Sequence, residues 1–120
     1  MDNVKILEVK QSIFASNDEQ AAALALIENL QRENLSPLEE ASGYMRLKTE
    51  FRMKQGDIAK RVGKSRAAVA NSMRLLDLPQ AVQDMLGNAF ISVGHAKVLL
   101  SLKNQDQQIQ LGRDIVNKGY

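Results

Sequence analysis

A chain of 120 residues holds one domain or two small helical lobes, with length enough to bury a modest core. It has no cysteine, which excludes a disulfide framework and a thiolate metal site, and its longest apolar run, Ala21–Ile27, is too short to span a bilayer. The net charge of +2 indicates no partner, but residues 1–52 carry −3, residues 53–78 carry +4 and residues 79–120 carry +1. The positive excess is thus gathered on one stretch, as a nucleic-acid footprint would be. With no Trp and few aromatics, recognition of single strands by base stacking is not expected.

Val4–Val9 (VKILEV) alternates loosely and is the one convincing strand signal. A lone strand is not stable, so it is expected to belong to a larger sheet. Ser16-Asn17-Asp18 supplies caps for a helix over about Asp18–Arg32. Ala23, Leu26, Ile27 and Leu30 form its apolar face, and Glu28, Asn29 and Arg32 fall within about 100° of one another on the other side. An acid, an amide and a guanidinium so grouped can hold a metal-bound phosphate, the oxygens taking Mg²⁺ and the Arg the phosphate. On spacing alone the preferred reading is a solvated face with an i,i+4 Glu28–Arg32 pair.

Ser36-Pro37-Leu38-Glu39 is a capping box with proline at the first helical position, opening a helix to about Phe51. Leu38, Ala41, Met45 and Phe51 are its predicted core positions.

Gln55–Leu76, QGDIAKRVGKSRAAVANSMRLL, reads as a helix-turn-helix. Ile58, Ala59 and Val62 give the first helix an apolar face, with a small residue where the partner helix crosses. Gly63 stands where the turn needs positive φ, and Ser65 is the N-cap of the second helix. Val69, Met73 and Leu76 recur at i, i+4 and i+7 as its buried stripe, leaving Arg66, Ala67, Asn71 and Arg74 outside it. An ordinary surface hairpin is the alternative, but the small residue, turn glycine, cap and basic face together favour DNA binding.

Pro79 begins a short helix to about Leu86, ended by Gly87-Asn88. Ser92 caps another over Val93–Leu102, and a last one runs roughly Gln105–Asn117 with Ile109, Leu111, Ile115 and Val116 apolar. No internal repeat or low-complexity tract interrupts the series.

The positions expected to face double-stranded DNA are Gln55, Lys64, Ser65, Arg66, Ala67, Asn71, Arg74, Gly94, His95 and Lys97. Arg66, at the start of the second helix, suits bidentate contact with guanine; a phosphate contact is its other possible role. Lys64 precedes the helix and suits phosphate. Asn71 can bond a base or a neighbouring helix, and Arg74 phosphate or protein. His95 is the single histidine and lacks partners in a ligand pattern, which favours packing within the capped helix or a DNA-facing role over catalysis. Lys97 supplements that surface.

Three ordered stretches, ALIENLQRENLSPLEEA (Ala25–Ala41), VGKSRAAVANSMRLLDLP (Val62–Pro79) and SVGHAKVLLSL (Ser92–Leu102), resemble the ParB family of chromosome- and plasmid-partitioning proteins. The resemblance implies a mainly α fold. A helix-turn-helix domain over 36–120 would follow a residual strand and helix, 1–35, from the C-terminal part of an N-terminal nucleotide-binding domain. It implies a bacterial, cytoplasmic, nucleoid-associated protein that binds the palindromic centromere-like site parS as a homodimer. It also implies CTP and Mg²⁺ as cofactors, a CTP-driven clamp that slides on DNA and is reset by slow hydrolysis, a ParA-type ATPase as partner, and no membrane. On the resemblance, Glu28, Asn29 and Arg32 match the family's ENxxR nucleotide motif, which overturns the solvated-face reading: Glu28 and Asn29 near Mg²⁺ and triphosphate, Arg32 near phosphate.

Two departures stand out. The family's upstream GxxR-type phosphate motif and C-terminal dimerisation domain are not in the sequence. It therefore resembles a middle stretch with half a nucleotide pocket, expected alone to bind CTP weakly or not at all, not to hydrolyse it, and still to recognise parS. Lys54 and Gly56 stand where relatives usually have Thr and Glu. The related nucleoid-occlusion branch tends to carry Gln, Lys and Arg where this chain has Arg66, Ser72 and Gly94, so these positions point to the parS-reading branch. A nucleoid-occlusion-type protein, or a simple helix-turn-helix transcriptional regulator, is the alternative function.

Overall fold

The computed structural model describes residues 17–119, and these form a succession of helices. They are α1 (Asn17–Leu30), α2 (Pro37–Thr49), α3 (Gln55–Val62), α4 (Arg66–Arg74), α5 (Gln80–Gly87), α6 (Val93–Leu100) and α7 (Gln105–Lys118), with a 3₁₀ turn at Leu75–Asp77. The described residues contain no strand, in keeping with a mainly α fold. The strand expected over Val4–Val9 and the cap residue Ser16 lie outside them. The described residues divide into two compact units, one of 17–35 with Gly43–Ala70, the other of Ser36–Ser42 with 71–119.

In the first unit α1 packs against α3. The 3.6-residue repeat carries Gln20, Ala23, Ile27 and Leu30 inward, with Leu26 only half-buried. Ile58, Ala59 and Val62 of α3 are buried as their spacing predicts. Tyr44, Leu47, Phe51 and Met53 complete this core, and each fully buried large apolar side chain contributes about 1.5–3 kcal/mol. Gly43 permits a close approach here, since a Cβ on it would overlap Leu30 Cδ2, with Leu30 Cγ at 3.0 Å.

Three helix ends fall short of their predicted limits, among them that of α6, which stops at Leu100 and not Leu102. The periodicity predicts the first helix to Arg32, but it stops at Leu30: the Gln31 and Arg32 amides donate to the carbonyls of Glu28 and Asn29, three residues back (3.1 and 3.3 Å). This tightening ends the α-helical ladder. The Gln31 side-chain amide also donates to the Arg61 carbonyl (3.2 Å). Helix α2 stops at Thr49 rather than Phe51 because Arg52 takes a left-handed conformation (φ 57°), and the Met53 amide turns back to the Leu47 carbonyl (3.0 Å). At the start of α2 the capping box is present, Ser36 Oγ accepting from the Glu39 amide and Glu39 Oε1 from the Ser36 amide, both at 3.2 Å.

In the second unit α7 packs against α5 and α6. Leu75, Leu78, Val82, Leu86, Ile91, Ala96, Leu99 and Ile115 form the core, and Leu38 packs against it. Leu76 does not join the buried stripe as its i+7 spacing predicts. The chain tightens from α-helix to 3₁₀ after Arg74, and the changed pitch turns Leu75 inward instead. Val116 likewise is 38% exposed, not a core position, because Ile115 takes the inward place. Asn104 caps α7, its side-chain oxygen accepting from the amides of Asp106 and Gln107 (2.7 and 3.2 Å).

Candidate nucleic-acid interface

The turn between α3 and α4 is built from three local devices. Gly63 ends α3 in the left-handed region (φ 73°, ψ 33°), open to glycine without a Cβ penalty. The Lys64 amide returns to the Ala59 carbonyl at 3.0 Å, sharing with the Gly63 amide an acceptor that closes the helix end. Ser65 Oγ then accepts from the Ala68 amide at 3.0 Å, capping α4. These side chains bring about the turn expected from their identities.

That geometry presents Lys64, Ser65, Arg66 and Ala67 as exposed residues at the start of α4, while Val69 is buried. Arg66 is the first residue of the helix, and its side chain makes no hydrogen bond or ion pair with any described residue. A guanidinium in that state keeps five donors for an outside acceptor. Gln55 opens α3 and is half-buried. Farther along α4, Asn71 and Arg74 are exposed, whereas the Ser72 hydroxyl is buried without a hydrogen-bond partner.

At the start of α6, Ser92 and His95 form a reciprocal box. Ser92 Oγ accepts from the His95 amide (3.1 Å), and His95 Nδ1 accepts from the Ser92 amide (3.0 Å). His95 is therefore engaged in helix capping, with Nδ1 as acceptor and, in the neutral ring, the proton on Nε2. Gly94 and Lys97 are exposed beside it. A Cβ on Gly94 would meet only Ser92 Oγ, at 3.5 Å, so a side chain fits there.

Glu28 and Asn29 occupy the exposed last turn of α1, where the partial negative charge of the helix end suits a cation. Arg32 is exposed too and lies two residues past the end of the helix. The carboxylate and amide oxygens fit a Mg²⁺ site completed by phosphate, which needs one or two protein oxygens. No cluster of three acidic, His or Cys side chains that could hold a metal by itself occurs among the described residues.

Sequence reasoning treats Gly56 only as a departure from the family pattern. In the structure it lies beside Arg66, ten positions away, and no local signal announces such a contact.

No described helix is long and apolar enough to cross a membrane. The chain is 47% identical over 115 residues to a probable chromosome-partitioning protein ParB of Neisseria meningitidis, a match covering 96% of this chain and 40% of that protein. It is 46% identical over 113 residues to a nucleoid occlusion protein of Listeria innocua, covering 94% and 40%. It thus spans about 40% of the length of these curated relatives. Among solved structures it resembles the DNA-binding domain of a chromosome-partitioning protein ParB complexed to the centromeric parS site, with TM-score 0.72, 38% identity and coverage of 83% of this chain and 80% of that one. It also resembles a C-terminally truncated ParB of Caulobacter crescentus complexed with CTP-gamma-S, with TM-score 0.57, 41% identity and coverage of 76% and 49%. The family model described as the ParB HTH domain matches residues 33–120, nearly three-quarters of the sequence, and the chain belongs to that family.

Proposed function

We propose that this chain is the sequence-reading part of a partition protein and binds parS, with Arg66 contacting base edges and Lys64 phosphate. The observation that carries the reading is Arg66 itself: an exposed guanidinium, without a partner among the described residues, on the first turn of a helix held by the Gly63 turn and the Ser65 cap. The likeness to a ParB domain solved on parS supports it. Gln55, Ala67, Asn71, Arg74, Gly94, His95 and Lys97 are the further positions assigned to the DNA surface.

In the longer protein, residues 1–35 would belong to a nucleotide-binding domain and 36–120 to the DNA-binding domain. Glu28 and Asn29 would hold Mg²⁺, and Arg32 the phosphates, of a CTP that drives clamp closure. The ion would there neutralise phosphate charge. The likeness to a ParB complexed with CTP-gamma-S supports this, as does the exposure of Glu28 and Asn29 at the end of α1. A homodimer acting with a ParA-type ATPase on the bacterial nucleoid completes the reading. A nucleoid-occlusion role is the second reading, favoured by the 46% identity to the Listeria protein. Arg66, Ser72 and Gly94 speak for parS.

Amide chemical-shift mapping tests the DNA assignment. A parS duplex should shift residues 63–71 and 92–97 and leave 17–32 unmoved. Shifts centred on 17–32 would overturn it.

A further inference from the structure

Arg66 has the backbone of α3 beside it. A Cβ built on Gly56 would stand 3.8 Å from Arg66 Nε, 3.9 Å from Cδ and 4.0 Å from Cζ. These are ordinary contact distances, so a side chain at position 56 has room to extend alongside the guanidinium on its Nε side. Asp57, the next residue of α3, makes no ion pair with Arg66. The guanidinium thus meets an empty position where a neighbour could hold it.

A guanidinium is a fork with donors on two edges. A guanine engages one edge, leaving another for a carboxylate on the protein. A carboxylate at 56 would fix the long side chain before it meets DNA, so less rotamer freedom would be lost on binding. It would also repel phosphate and weaken binding that does not depend on sequence.

We propose that Gly56 is a positioning residue for Arg66: by offering no acceptor it leaves the guanidinium unheld, and the chain discriminates between sequences less than the same scaffold with a carboxylate at that position. This rests on the DNA-reading role of Arg66 given above.

The test compares Gly56→Glu, Gly56→Gln, Arg66→Ala and the Gly56→Glu/Arg66→Ala double variant of this chain. Without DNA, hydrogen exchange at Arg66 Nε–H, identified as the resonance missing from Arg66→Ala, should slow severalfold in Gly56→Glu. It should stay near the wild-type rate in Gly56→Gln. Against parS and a scrambled duplex, Gly56→Glu should raise the affinity ratio about three- to fivefold, the size of a partly ordered exposed ion pair. The salt slope on the scrambled duplex should fall by about one. In the Arg66→Ala background the slope should still fall and the ratio should not change. Unchanged Nε–H exchange in Gly56→Glu, or the same gain in ratio without Arg66, would overturn the proposal. A wild-type ratio of unity would instead overturn the DNA-reading role, and Nε–H exchange would still decide whether position 56 holds Arg66.

Discussion

Gly43→Ala should destabilise the protein although alanine is the better helix former. In a helix interior the change from glycine to alanine is worth about 1 kcal/mol in the protein's favour. Here the new methyl group would overlap Leu30 Cδ2, with Leu30 Cγ at 3.0 Å and Cδ1 at 3.1 Å, so rotating one terminal methyl does not clear the space. Leu30 is 5% exposed and has no open side to swing into. Overpacking of this kind costs about 1–3 kcal/mol, leaving a net loss of about 1 kcal/mol. Urea unfolding followed by far-ultraviolet circular dichroism should show a lower midpoint at unchanged slope. In a Leu30→Ala background the obstructing atoms are gone, and the same Gly43→Ala change should stabilise by about 1 kcal/mol. If Gly43→Ala stabilised both backgrounds equally, the close approach of α1 at Gly43 would be refuted. That approach matters to function because Leu30 ends the helix turn that carries Glu28 and Asn29.

Arg66→Ala should cost about 1–3 kcal/mol on parS and much less on a scrambled duplex, read by fluorescence anisotropy. Lys64→Ala should weaken both alike and lower the salt slope by roughly one. Ala89 holds a left-handed conformation (φ 61°) that costs a Cβ-bearing residue about 1 kcal/mol, so Ala89→Gly should raise the urea midpoint. The Arg46–Glu50 pair (2.8 Å) holds the Glu50 carboxyl below its ordinary value, chiefly through the Arg46 hydrogen bond. Its stabilisation is therefore complete at and above the ordinary carboxylate pKa and is lost as pH falls through the lowered one. Arg46→Ala should move the Glu50 titration upward in a carboxyl-detected NMR experiment.

The sequence made most of the fold legible because its helix boundaries are local chemistry. Ser36, Ser65 and Ser92 stand directly before the helices they cap, and Gly63 is the residue a left-handed turn favours. What stayed hidden depends on departures from an ideal helical pitch. Leu75 replaces Leu76 in the core because the helix tightens after Arg74. Arg32 falls outside the helix predicted to carry it because α1 ends at Leu30. Helix α5 ends at Gly87-Asn88 as expected, but the left-handed residue that follows is Ala89, whose identity gives no sign of it. At the candidate site, the exposure of Arg66 follows from the pattern of α4. Its neighbour Gly56 belongs to α3, and a contact between helices has no signature in either one. The reciprocal bonds between His95 and Ser92 form a capping box that the sequence reading did not specify.

The most direct measurement is equilibrium binding of this chain to a parS duplex and to a scrambled duplex of equal length and composition, titrated across a series of salt concentrations. Both affinities should fall with salt, because phosphate contacts release counterions from either duplex. At about 150 mM salt the parS affinity should exceed the scrambled one by at least roughly tenfold, the ratio that one base-reading contact of about 1–3 kcal/mol supplies. Curves that coincide at every salt concentration would contradict sequence reading by α4.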